Sequence, residues 1–251
     1  MTNLPASIAL LGEVSTATIS TQLFKRGLRN AFLQGLYPLN PGCARFVGEA
    51  FTLRSIPSRE DLDVLAVYED YDHPQRRAVE SVESGQVLVV DSRSDVRAAS
   101  AGQILLTRLL KRGAVAFVTD GSLRDSGEIR KMEFPAFVAG VAATTNLARH
   151  HVVDMQVPIS CAGVAIYPGD ILVGDEEGVI CVPRHLAPEI AQPAAEQERM
   201  ERFILGKIAA GAPLRGVYPP DSQTRGEYEL WSRSDRREAR HSSQPTLEES
   251  R

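Results

Sequence analysis

The residues best suited to chemistry lie in one run, Asp120-Gly121-Ser122-Leu123-Arg124-Asp125-Ser126-Gly127-Glu128. It follows an apolar stretch that reads as a buried strand, and ligand sites in α/β sheets lie beyond the carboxyl ends of strands. If the chain turns helical after Arg124, Asp125 and Glu128 stand at i and i+3 and share a face. Two carboxylates on one face suit a hard divalent cation such as Mg²⁺, which takes one or two protein carboxylates and completes its shell with water and substrate oxygens. Arg124 offers a fixed fork of donors for a carboxylate or a developing oxyanion. The competing reading is structural: an Asp-Gly turn, a surface Arg124–Asp125 pair and a solvated Glu128. A second segment, Ser100-Ala101-Gly102-Gln103-Ile104-Leu105, lies where a strand passes into a helix. Free N–H groups at a helix start can hold an anion, although a capped helix with a packing glycine explains the same residues.

The surrounding elements must position these two segments. Ser15, Thr16 and Thr18 can cap a helix within 15–35 that carries Ala17, Ile19, Leu23, Phe24 and Leu28. Pro38, Pro41 and Gly42 mark a turn, and 46–53 reads as a strand. Residues 57–77, with Asp61, Asp63, Glu69, Asp70, Asp72 and His73-Pro74, read as a solvated excursion containing a short helix. The continuous apolar run after Gly85 predicts a strand over 86–91 buried on both faces. Residues 99–112 predict a helix with Ile104, Leu105, Leu109 and Leu110 inward, stopped at Gly113. With the strand over 114–120 this makes a strand–helix–strand unit, hence a parallel pair with a right-handed crossover. A short strand over 134–138 follows, and 152–183 has hairpin or barrel texture. A long helix runs from 185 to about 211, then a loop and a short helix to 231. The polar segment 232–251 predicts a disordered tail. The expected class is α/β, with one domain over 1–231.

Composition narrows the function classes. With 43% hydrophobic and 24% charged residues among 251, the chain has enough apolar content for a core, which argues against wholesale disorder. Twenty-eight basic against 32 acidic residues give no general attraction to phosphate backbones, so no nucleic-acid partner is expected. Cys43, Cys161 and Cys181 lack metal-site spacing, and the last two sit in apolar runs as buried thiols. No run approaches a membrane span and no leader precedes the first helix, so a cytoplasmic protein without membrane partners is expected. Neither a dinucleotide-binding nor a P-loop glycine motif occurs.

As an ordered set the motifs resemble a known family. Gly102-Gln103, twenty intervening residues and Arg124-Asp125-x-x-Glu128 are similar to the class II 4-hydroxy-4-methyl-2-oxoglutarate aldolases and the related regulator of ribonuclease activity A. Ser15-Thr16-Ala17-Thr18, Val118-Thr119-Asp120-Gly121, Phe134-Pro135, Pro168-Gly169-Asp170 and Asp175-x-x-Gly178-Val179 extend the match over about 12–210. The resemblance implies a swivelling β/β/α fold, with a mixed central sheet or barrel flanked by helices. It implies a homotrimer or homohexamer with sites between subunits, and a divalent metal, Mg²⁺ before Mn²⁺. It also implies a 2-oxo acid substrate cleaved to pyruvate through an enolate. Carried over, Arg124 binds the keto oxygen and Asp125 the metal. Gly102 and Gln103 open the helix whose Ile104 and Leu105 amides hold the carboxylate. Many such aldolases carry an Asp where Gln103 stands here, and Gln cannot act as a base near neutral pH. Glu128 is then the replacement carboxylate. The stretches 57–77 and 212–231 depart from the compact pattern and could reshape the pocket for a larger, more polar substrate.

The resemblance leaves three activities open: retro-aldol cleavage or oxaloacetate decarboxylation, non-catalytic inhibition of ribonuclease E, and hydration or dehydration of a sugar-derived 2-oxo acid. Other polar residues read as structural. His150-His151 point different ways, Asp170 and Asp175 sit in turns, and Asp91 could stand behind the site. Glu196, Glu198 and Glu201 lie on the late helix, from which, by the resemblance, a glutamate reaches a neighbouring subunit's site.

Overall fold

A computed structural model describes residues 3–242, and its contacts divide into two compact units, Met1–Ala195 and Glu196–Arg251. In chain order the first unit contains α1 (Leu4–Leu11), α2 (Thr16–Phe24), β1 (Tyr37–Pro38), β2 (Phe46–Pro57), α3 (Pro74–Ser81), β3 (Gln86–Asp91), β4 (Ala99–Ala101) and α4 (Gln103–Arg112). There follow β5 (Ala116–Thr119), β6 (Ser122–Leu123), α5 (Ser126–Ile129), β7 (Ala136–Val138), β8 (Gly140–Val141) and β9 (His150–Met155). Two hairpins, β10 (Ile159–Cys161) with β11 (Val164–Ile166) and β12 (Ile171–Asp175) with β13 (Gly178–Val182), complete its strands. α6 (Ala187–Ala209) begins in this unit and ends in the next.

β7, β5, β3 and β2 pair in parallel in that order, β1 joins β7 antiparallel, and the far edge of β2 takes β12 and β9 antiparallel. The result is a mixed α/β architecture, as expected. The apolar run of β3 is buried on both sides because alternate residues enter different cores. Leu88 and Val90 pack with Val79, Val82, Leu106 and Leu109 of the α3–α4 region, while Val87 and Val89 pack with Ile159, Val164 and Ile166 of the β10–β11 hairpin. Ile171, Val173, Ile180 and Val182 turn to a third cluster with α1, α2 and the start of α6.

A small parallel sheet, β4-β6-β8, sits apart from the large one. Asp120-Gly121 carries the chain from β5 to β6, so a second strand separates the buried strand from the Arg124 segment. Asp120 is buried and accepts from the Ser92 (2.7 Å) and Ser94 (2.8 Å) amides. A Cβ on Gly121 would stand 2.6 Å from Ser92 Cβ, so this crossing requires glycine for close approach.

Several boundaries differ from those the periodicity predicts. The helix expected over 99–112 starts only at Gln103, because 99–101 pair with β6. Its inward stripe is Leu106 and Leu109, and Ile104 is 82% exposed. α1 was not anticipated: its apolar residues run all round, without a stripe. Residues 57–77 are only partly a solvated excursion, since His73 and Gln75 are buried at the start of α3. In the second unit, Phe203, Tyr228 and Trp231 bring their ring centroids within 5.5–6.0 Å, and Tyr228 donates to Glu196 Oε1 at 2.6 Å. α7 (Ser222–Ser242) is longer than the expected short helix and takes in the first part of the polar segment expected as a tail. Residues 243–251 of that expectation lie outside the described residues. No helix among the described residues is long and apolar enough to cross a membrane.

Candidate functional site

The Arg124 segment and the start of α4 meet at one cavity of about 180 Å³. Gly102 N-caps α4 with an extended backbone (φ −136°, ψ −177°) that any residue adopts. Space is what demands glycine there, since a Cβ would lie 2.6 Å from Asp125 Oδ2 and 3.1 Å from Arg124 Cγ. The Gln103 amide donates to Asp125 Oδ2 (3.1 Å), and Arg124 Nε lies 3.7 Å from the same oxygen. The intrahelical ladder begins with Leu106 N–H on Gly102 O (3.2 Å). The Ile104 and Leu105 amides therefore remain open at the helix start, where both residues line the cavity. Anions favour this end of a helix.

Asp125 turns the chain from β6 into α5 at φ 56°, ψ 29°. A left-handed non-glycine residue costs about 1–3 kcal/mol and persists where its surroundings impose it, although Asp tolerates the region better than most. Its side chain is 41% exposed, and Oδ1 carries no hydrogen bond among the described residues. One open carboxylate oxygen beside a water-accessible cavity fits a hard divalent cation that takes a single protein carboxylate.

The site thus brings together Gly102, Ile104, Leu105, Arg124 and Asp125. Gln103 contributes its backbone amide, but its side chain does not line the cavity. Glu128 pairs with Lys131 (2.8 Å), is half exposed and is likewise not among the lining residues. Among the described residues no group of three or more His, Cys, Asp or Glu side chains could hold a metal ion.

Ser100 belongs to the second segment the sequence singles out, whereas five further lining residues are not individually legible there: Tyr68, Gln75, Arg76, Thr145 and Asn146. Gln75 Nε2 donates to Ser100 O (2.7 Å), which pins the first turn of α3 onto β4. The Tyr68 hydroxyl meets Thr145 Oγ1 and Asn146 Oδ1, and the Arg76 guanidinium lies 5.4 Å from the Tyr68 ring centroid. The start of α3 at His73-Pro74 was readable, but the fold back of 57–77 onto the 145–146 turn was not. Beneath the cavity, the hydroxyls of Ser92, Ser100 and Thr119 lie within 2.6–3.1 Å of one another.

The remaining sequence candidates sit elsewhere. Asp170 accepts from the Tyr167 and Arg184 amides, and Asp175 from Thr16 N (2.7 Å) and Oγ1 (2.9 Å). His150 is buried between Arg93 and Ala98 O, whereas His151 pairs with Asp63. Burial raises the Cys161 and Cys181 thiols well above their ordinary range, which disfavours thiolate chemistry. Burial also raises the Asp91 carboxyl, which accepts from the Arg93 amide (2.9 Å). Glu196 bonds Tyr228 and Arg199, and Glu201 accepts from Gln197.

The family model described as RraA-like, Aldolase/RraA, matches residues 16–181. A Halalkalibacterium halodurans protein, provisionally named a 4-hydroxy-4-methyl-2-oxoglutarate aldolase, is 32% identical over 201 residues, 78% of this chain and 88% of its own. The Thermus thermophilus protein named 4-hydroxy-4-methyl-2-oxoglutarate aldolase is 33% identical over 143 residues, 57% of this chain and 78% of its own. Among solved structures, Streptomyces coelicolor RraAS2, described as an unusual member of the RNase ES inhibitor RraA protein family, superposes with a TM-score of 0.71 and 29% identity. That match covers 80% of this chain and 96% of the other.

Proposed function

The chain belongs to the RraA-like family, Aldolase/RraA, and from that premise we propose that it is a lyase acting on a 2-oxo acid. The reaction is retro-aldol cleavage that releases pyruvate, with oxaloacetate decarboxylation open to the same enolate. The observation that carries this reading is the convergence of Arg124, Asp125 and the open Ile104 and Leu105 amides on one cavity. The names of the two aldolase relatives support it.

In this reading the substrate carboxylate sits on the Ile104 and Leu105 amides at the start of α4. Arg124 then aims its guanidinium at the 2-oxo oxygen. As the C3–C4 bond breaks, its electron pair moves to C3, negative charge gathers on that oxygen, and Arg124 stabilises the enolate. C3 afterwards takes a proton to give pyruvate. The 4-hydroxyl proton passes to solvent water, since Gln103 offers no basic group to receive it, and solvent supplies the proton that C3 takes. The contribution of this chain is therefore positioning and charge stabilisation. Asp125 would hold a divalent cation, Mg²⁺ before Mn²⁺, which when bound supplies Lewis-acid polarisation of the 2-oxo group. Glu128, which does not line the cavity, would join only by turning its side chain toward it.

The test is pyruvate release from 4-hydroxy-4-methyl-2-oxoglutarate, followed by a coupled dehydrogenase assay. Turnover should vanish with EDTA and return with Mg²⁺, and Arg124→Ala should lose about 10²–10³-fold in kcat. Asp125→Asn, which keeps a residue tolerant of the left-handed turn, should abolish the Mg²⁺ response. Turnover near that of the unaltered chain in both variants would sink the assignment. The similarity to RraAS2 supports a second reading, inhibition of ribonuclease E through protein contacts. For that role Arg124 and Asp125 would be dispensable, so capture of ribonuclease E by the double variant separates the two. The homotrimer or homohexamer expected by resemblance is read by sedimentation.

A further inference from the structure

We infer that Arg76 is a specificity-determining residue that receives a second carboxylate, carried by the substrate beyond the C3–C4 bond. The inference rests on the lyase reading for the identity of the first subsite, and on three observations at the second.

The cavity holds two guanidinium groups, and they are not equivalent. Arg124 has a carboxylate beside it, Asp125 at 3.7 Å. Arg76 has none within ion-pair distance among the described residues. Its Nη2 makes only a long contact with Tyr68 O (3.4 Å), and its Nε is buried without a hydrogen-bond partner. A half-buried cation without a counter-ion loses hydration and regains little from the protein. An anionic ligand group would supply what is missing.

A second unpaired donor lies on the same wall. Asn146 is only 4% exposed, its Oδ1 takes the Tyr68 hydroxyl, and its Nδ2 has no partner. Both side chains line the cavity that Arg124 and Asp125 enter. The third observation is rigidity. Gln75, the residue before Arg76, is bonded to Ser100 O, and the Arg76 guanidinium lies against the Tyr68 ring. The cation is thereby held over the cavity, and an arginine held in place recognises a planar carboxylate with less ordering cost than a free lysine.

Size and charge narrow the ligand further. At about 180 Å³ the cavity lies below the roughly 300–1,000 Å³ of drug-sized pockets, which suits a small acid. Two guanidinium groups against one carboxylate leave one excess positive charge before any metal binds. The substrate of the proposed reaction, a 2-oxo dicarboxylate, already carries its second carboxylate on the far side of the scissile bond, and Arg76 is the group in this cavity free to receive it. On cleavage that carboxylate leaves with the carbonyl product, which is then itself an oxo acid.

The experiment compares 2-oxoglutarate with 2-oxopentanoate, which ends in methyl where the former carries its distal carboxylate. Both are measured calorimetrically against the full chain with Mg²⁺. The unaltered protein should bind 2-oxoglutarate at least about tenfold more tightly. Arg76→Ala should bring the ratio to within about twofold, and Arg76→Lys should restore part of it. Arg76→Gln serves in place of alanine where that variant does not fold, as judged by thermal melting. The inference is overturned if the unaltered chain shows no preference, if it fails to bind 2-oxoglutarate, or if the preference survives in Arg76→Ala. An Arg76-dependent preference without any pyruvate release would remove the lyase reading and keep the subsite. Pyruvate release with no carboxylate preference would do the reverse.

Discussion

At Gly102 the site depends on an atom that is missing. A Cβ there would stand 2.6 Å from Asp125 Oδ2 and 3.2 Å from Arg124 Nε, so Gly102→Ala must displace either the carboxylate or the guanidinium. Both can swing into the open cavity, and Gly102 has an extended backbone, so the fold should survive the change. A misplacement near 1 Å can cost about 10²-fold in rate. We expect kcat/KM for pyruvate release to fall by about that factor while Tm moves by no more than about 2–4 °C, the equivalent of 1 kcal/mol in a chain of this size. Steady-state kinetics and a thermal melt check this, and kinetics like those of the unaltered chain would show that contact with Gly102 does not place Arg124 and Asp125. The same crowding accounts for what was legible at this scale. Arg124 and Asp125 are adjacent in the chain, and their relation to a helix start is a recurrent pattern, so the sequence could carry both. Arg76 and Asn146 are 70 positions apart and meet only because 57–77 folds back, a contact that no local spacing encodes.

Between elements, α2 is fastened to the β12–β13 hairpin by one carboxylate. Asp175 accepts from the Thr16 amide (2.7 Å) and hydroxyl (2.9 Å), and its Oδ1 also takes the Glu177 amide (3.0 Å). Asp175 and Thr16 are both buried, so removing the acceptor strands donors that water cannot reach. Asp175→Ala should therefore destabilise by about 2–3 kcal/mol, read from urea denaturation at an unchanged slope. A loss below the error of the extrapolation would mean that α2 is held by Ile19 and Leu23 packing alone. The sequence placed Asp175 correctly as a turn residue, yet its main partner lies 159 positions away. The buried strands β2, β3, β5, β7 and β11–β13 were legible because apolar runs leave few alternatives, whereas the short β1, β4, β6 and β8 carry no such run and were not. Element starts were less legible. The departure of 99–101 into a strand depends on pairing with 122–123, and tertiary pairing there overrides the helical period of 104–110. α1 escaped notice because a helix apolar all round lacks the stripe by which a surface helix is recognised.

At the scale of the whole molecule, two buried histidines make stability depend on pH. Burial is the main reason that the His73 and His150 pKa values are both lowered. His73 also feels Arg76 and His151, opposed by Asp70 and Asp63, and His150 feels Arg93, opposed by the Ala98 carbonyl, Asp95 and Asp120. A histidine held neutral in the folded state binds fewer protons than in the unfolded chain, where its pKa is near 6.5. The sign follows directly. Stability is complete above about pH 6.5 and is lost as pH falls from there toward the lowered folded values, because the unfolded chain takes up the extra protons. Tm measured by calorimetry should therefore drop between pH 7.5 and pH 5.5, each kcal/mol lost moving it by about 2–4 °C. Asn in place of a histidine removes the titration while keeping a polar group of similar reach. His150→Asn should lower Tm at pH 7.5, since the ring is fully packed, and should also flatten the slope between the two pH values. His73→Asn should flatten it as well, and at this position Asn still offers an acceptor to the Gln75 amide that His73 Nδ1 now caps at 3.4 Å. If the double variant kept the slope of the unaltered chain, the acid sensitivity would belong to other groups, and the two histidines would bind protons alike in the folded and unfolded states.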